Sequence, residues 1–150
     1  MSPEHKRRAV QGYSERGEPL GEPGSQESYY RWPGTGQMYS SARDMAVFLA
    51  ANLGELPVER SLREAMNLAH QSVWTIGPRN RQALAWEVLG TDAPTITEKY
   101  GGLHNASAYI GMMLRHKLGI VVLGNRGKQY PNEVGRRILL GLAPARGRRA

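Results

Sequence analysis

Two apolar runs, Ala108–Leu114 and Leu118–Leu123, are separated only by Arg115-His116-Lys117. Apolar runs of strand length around so short a polar break predict a β-hairpin. The second arm is apolar at successive positions, which predicts an inner strand covered on both faces. Just upstream, Thr95–Gly102 reads as a strand carrying Lys99 before Gly101-Gly102. A cation placed there is either a solvated strand end or a charge at a cleft rim. In the second case the glycines would let a ligand approach the backbone closely.

The remaining elements must pack on this sheet. Ser41-Ala42-Arg43-Asp44 resembles a capping box, with Asp where Glu or Gln is usual. It precedes Met45, Phe48, Leu49 and Leu53 at helical spacing, and Gly54 ends that helix. Pro57 opens a second helix, with Leu62, Ala65, Met66 and Ala69 on one face. Gln82–Leu89 reads as a further short strand. A last helix follows Tyr130-Pro131, with Asn132 as its cap and Val134, Ile138 and Leu142 along one side. Pro33–Gly36 is a turn. Met1–Pro33 is dense in Gly, Pro, Ser and Glu and is expected to be an extended loop region. These readings give an α+β fold: a partial antiparallel sheet of about three strands flanked by helices. One domain covers residues 1–143, and residues 144–150 form a disordered basic tail.

The chain has 150 residues, enough for one modest core, and a formal net charge of +7. Much of the excess sits near the ends, at Lys6-Arg7-Arg8, Arg136-Arg137, Arg146, Arg148 and Arg149. Such charge favours anionic partners, but terminal basic residues are mostly solvated and no nucleic-acid-binding motif accompanies them, so a nucleic-acid partner is not expected. No apolar run is long enough for a membrane span, and the polar start has no signal-peptide pattern. Cys is absent, so thiolate metal sites are excluded. His5, His70, His104 and His116 lack ligand spacing, so neither metal nor cofactor is expected.

Several stretches, in order, resemble a known family. They are Gly12-Tyr13, Met38–Phe48 (a Ser-Ser-x-x-Asp-Met-Ala helix), Trp74-Thr75-Ile76-Gly77, Leu84-Ala85-Trp86-Glu87 and Leu118–Asn125. Together they resemble the C-terminal part of a class C serine β-lactamase. The wider group includes penicillin-binding proteins and esterases. The resemblance implies the C-terminal portion of a β-lactamase/transpeptidase-like fold. It implies a small-molecule partner, either a β-lactam or a D-alanyl-peptide-like compound, attacked through an acyl-serine. It also implies a periplasmic setting, against a cytoplasmic one if Met1 is the natural start.

The family's Lys-Thr-Gly motif aligns with Lys99-Tyr100-Gly101. By that resemblance Lys99 supplies positive charge to the cleft and the N–H of Gly102 forms half of an oxyanion hole. Tyr100, Gly101 and Asn132 then line the substrate. Tyr100 replaces the family's small hydroxyl residue. The family nucleophile lies in Ser-x-x-Lys, and no Ser or Thr in this sequence has Lys three residues on. Tyr130-Pro131-Asn132 spells the family's Tyr-x-Asn but falls after the last strand, so it is not the catalytic tyrosine. Ser40, Ser41 and Ser107 are weaker nucleophile candidates, since Ser41 suits a helix cap and Ser107 shows no base. Strands and a helix that the family places upstream lie outside this sequence. The sheet edge and apolar faces left open predict self-association or a complementing chain. The alternative to a hydrolase fragment is a non-catalytic binding or oligomerising remnant of the same fold.

Overall fold

The computed structural model describes residues 2–24, 36, 38–91 and 94–144. Among these, six antiparallel strands form one sheet in sequence order. They are β1 (Trp74–Gly77), β2 (Asn80–Gln82), β3 (Glu87–Leu89), β4 (Ile96–Gly102), β5 (Ser107–Met113) and β6 (Leu118–Gly124). Four helices accompany them: α1 (Pro3–Arg8), α2 (Ala42–Asn52), α3 (Arg60–Ala69) and α4 (Pro131–Leu142).

The expected count of about three strands is therefore too low. β4, β5 and β6 are the long strands legible from their runs, each of seven residues. β1 to β3 have only three or four residues each, too short for alternation to register. The expected strand Gln82–Leu89 is broken in its middle. Ala83 donates its N–H to the Trp86 carbonyl, and Ala85 turns the chain with φ +62°. That tight turn ends β2 and starts β3.

The predicted hairpin of β5 and β6 forms in register, with Ile110 opposite Val121 and Met113 opposite Leu118. Leu114–His116 make a single 3₁₀ turn, and Lys117 takes the left-handed conformation needed to reverse the chain. β6 has helices on both faces, α2 on one and α4 on the other. It is nevertheless the last strand of the sheet rather than an inner one, because nothing among the described residues pairs with its outer edge.

The α2-side core joins Leu49 and Leu53 to Trp86, Val88, Ile110 and Met112. Gly119 admits α2 closely: a Cβ there would lie 2.6 Å from Leu49 Cδ2. α2 starts as its sequence dictates, with the Ser41 hydroxyl accepting the Asp44 N–H at 3.1 Å. It ends in a Schellman motif, in which Glu55 N–H bonds Ala50 O, Gly54 N–H bonds Ala51 O, and Gly54 has φ +77°. Lys117 adds its ammonium to the Leu53 carbonyl, a cation at a helix C-terminus.

Four sequence expectations shift. α3 begins at Arg60 with Glu59 before it, not at Pro57, and none of its residues is fully buried. α4 has Tyr130 at its N-cap position, so Asn132 lies inside the first turn and does not cap it. The buried side of α4 is Pro131, Gly135 and Leu139; Val134, Ile138 and Leu142 stay exposed. The cause is Gly135, which rests on the Tyr109 ring, where a Cβ would collide. Finally, the N-terminal region is not wholly extended, because Ser2 caps the short α1. Pro33–Thr35 of the expected turn and residues 145–150 of the expected tail lie outside the described residues. Among the described residues, no helix is long and apolar enough to cross a membrane.

Candidate active site

β4 divides into two halves. Ile96, Thr97 and Glu98 pair with β3 on one side and with β5 or the core on the other, and all three are buried. From Lys99 to Gly102 the strand pairs only with β5, opposite Ile110, Tyr109, Ala108 and Ser107. Among the described residues its other edge is unpaired. The Leu103 N–H bonds the Ala106 carbonyl at 2.8 Å, toward β5. Successive strand N–H groups point to opposite sides, so the Gly102 N–H faces the open edge.

Neither Gly101 nor Gly102 has a positive φ. A Cβ on Gly101 would meet nothing within 4 Å, and on Gly102 only the Ala106 carbonyl at 4.0 Å. The chain's own packing therefore does not require either glycine. What the pair does is leave the backbone bare along an exposed strand edge.

Lys99 shares a face with Ile110 and Val121, the α2 side of the sheet. Its Nζ lies 3.4 Å from Glu87 Oε1, and its side chain is 51% exposed. So open and long an ion pair restrains the cation only weakly. Tyr100 is half exposed on the opposite face.

That opposite face carries a cluster the sequence reading missed. Glu98 is fully buried; Tyr109 Oη donates to its Oε2 at 2.8 Å, and the Arg136 Nε donates to the same oxygen at 2.9 Å. Arg136 Nη2 also contacts Glu98 Oε1. Burial and the Glu98 carboxylate push the Tyr109 phenol well above its ordinary pKa. The hydrogen bond to Glu98 raises the already high pKa of Arg136. A buried carboxylate is tolerable because both partners donate to it. The cluster fixes β4 to α4 at the residue just before Lys99. A charged residue at an inward-facing strand position, between Thr97 and Lys99, was the signal available in the sequence.

The other candidates separate from this edge. Ser107 is buried and donates from Oγ to the Arg126 carbonyl at 3.2 Å, so it has the chemistry of a structural hydroxyl. The Ser41 hydroxyl is committed to its helix cap. His70 is held by Asn52 at 3.0 Å and packs edge-on against Trp86. Asn132 Oδ1 is buried without a hydrogen-bond partner. Among the described residues, no group of three or more His, Cys, Asp or Glu is arranged to hold a metal ion.

A six-stranded antiparallel sheet flanked by helices is the fold of the β-lactamase type. The Beta-lactamase family model matches residues 2–144, and the chain belongs to that family. A β-lactamase of Lysobacter lactamgenus is 26% identical over 149 residues, spanning 78% of this chain and 37% of that protein. A class C β-lactamase structure superimposes with a TM-score of 0.75 at 18% identity, covering 97% of this chain and 46% of the other. A structure titled β-lactamase/D-alanine carboxypeptidase, from Pseudomonas syringae, gives 0.74 at 21% identity, covering 96% and 48%. The chain thus spans less than half the length of these relatives.

Proposed function

We propose that this chain forms the sheet wall of a serine hydrolase cleft for β-lactams or D-alanyl-peptide-like compounds, and that it does not turn them over alone. The observation that carries the reading is the open edge of β4 from Lys99 to Gly102. There a cation, a bare glycine backbone and an outward-facing N–H lie within four residues. Fixed donors aimed at developing negative charge are a large catalytic term in acyl transfer. Lys99 supplies charge for a substrate carboxylate, and the Gly102 N–H is one oxyanion donor. Tyr100 and Gly101 flank the bound compound. Asn132, in the first turn of α4, is assigned a further substrate-side contact on the family resemblance alone. The acylated serine is not among these residues, since the sequence has no Ser-x-x-Lys.

The test is an amide NMR titration with benzylpenicillin. Saturable shifts confined to Lys99–Gly102, lost in Lys99→Met, are expected. An unperturbed edge at saturating penicillin contradicts the reading.

A second reading, an oligomerising remnant of the fold, is favoured by one observation. The outer edge of β6 is unpaired among the described residues, and Val134, Ile138 and Leu142 are exposed on the neighbouring α4. Unpaired edges and apolar helix faces associate. Light scattering after size-exclusion chromatography is expected to show a concentration-dependent dimer. A monomer at the highest soluble concentration removes this reading.

A further inference from the structure

A recess of about 450 Å³ lies on the β1–β2 hairpin, lined by Ser72, Val73, Trp74, Thr75 and Arg81. It is separate from the Lys99 edge. Thr75 and Arg81 are direct cross-strand partners, so their side chains stand on the same face. Arg81 is only partly exposed, and its Nη2 donates to the Gly90 carbonyl at 2.9 Å. Its Nε is buried and has no acceptor. Among the described residues, no carboxylate pairs with Arg81. Ser72 and Thr75 are exposed, and among the described residues their hydroxyls have no hydrogen-bond partner either.

Partly buried guanidinium groups are ordinarily paired, because removing the charge from water is costly. Here a partly exposed guanidinium, with one donor spent on the Gly90 carbonyl, and two solvent-exposed hydroxyls border a single open recess. A planar guanidinium fork fits a carboxylate or phosphate better than any neutral group. We propose that this recess is an oxyanion-binding site. Arg81 would supply the charge, Thr75 and Ser72 the added hydrogen bonds, and the ligand would be a carboxylate or phosphoryl group on a small molecule.

The recess can be tested in the full chain by following the Arg81 Nε–H resonance. Sodium acetate and sodium phosphate are titrated separately, with chloride holding the ionic strength constant. One of the two anions is expected to move that resonance saturably. Acetate acting at lower concentration assigns the recess to a carboxylate; phosphate acting at lower concentration assigns it to a phosphoryl group. Thr75→Val keeps the strand shape and removes one donor. Arg81→Lys keeps the charge and removes the fork. Losing one charge-assisted hydrogen bond is expected to weaken binding at least about tenfold in either variant, with unchanged circular dichroism confirming the fold. A resonance unmoved by both anions overturns the proposal. So does an Arg81→Lys protein that binds as tightly as the parent, which would reduce the site to net charge.

Discussion

At the scale of single residues, position 98 matters more to the fold than its sequence context suggests. Glu98 is fully buried and held by Tyr109 and Arg136, whereas Arg136 keeps some contact with solvent. The two halves of the pair are therefore unequal. Glu98→Ala leaves a partly hydrated guanidinium and is expected to cost about 3 kcal/mol. Arg136→Ala strands a carboxylate with no access to water and is expected to cost more. Urea unfolding of both variants checks the order; equal losses contradict it. Gly101 and Gly102 behave in the opposite way. Their added Cβ atoms meet open space at ordinary φ. Gly101→Ala and Gly102→Ala are expected to leave stability unchanged or raise it by about 0.4–1 kcal/mol, by restricting the unfolded chain. The same substitutions are expected to abolish the penicillin-induced amide shifts. Lost stability would mean that the glycines serve the fold instead.

At the scale of elements, the structure follows the sequence where local chemistry decides and departs from it where distant contacts do. Ser41 and Gly54 bound α2 as their side-chain chemistry predicts, since a cap hydroxyl and a left-handed glycine act within a few residues. The β5–β6 hairpin was legible because two apolar runs flank one polar break. The buried side of α4 was not. Leu139 packs inward and Ile138 does not because Gly135 fits over Tyr109, a residue far away in sequence. The pairing of Lys99 with Glu87 likewise depends on the register of β3 with β4. The α2–α3 layer is expected to carry a pH dependence that sequence alone does not show. His70 contacts Asn52 on α2 and the Trp86 ring, and it lies in the field of the Arg63 charge on α3. Burial, followed by Arg63, lowers its pKa from the ordinary 6.5. The unfolded chain then binds a proton more readily than the folded one. Stability associated with neutral His70 is complete above about pH 6.5 and is lost as pH falls through the lowered folded value. Urea midpoints are expected to fall from pH 7.5 to 5, and His70→Gln to flatten that fall. An identical fall in the variant would assign the effect to other groups.

At the scale of the whole molecule, the proposed function makes this fold one side of a cleft. The Glu98 cluster anchors β4 from the α4 side, and the strand then runs free of β3 with Lys99 and two bare glycines at its edge. The family resemblance was legible because motifs spread from Gly12 to Asn125 occur in one order, although no single one is decisive. In the proposed alignment Tyr100, a half-exposed phenol, stands where the resemblance implies a small hydroxyl residue. The central claim is that this wall binds without being acylated. Intact-mass spectrometry after incubation with benzylpenicillin tests it directly. An unchanged mass is expected, because Ser107 is buried in a structural hydrogen bond and Ser41 is committed to its cap. A stoichiometric penicilloyl adduct mapped to any serine of this chain would contradict it.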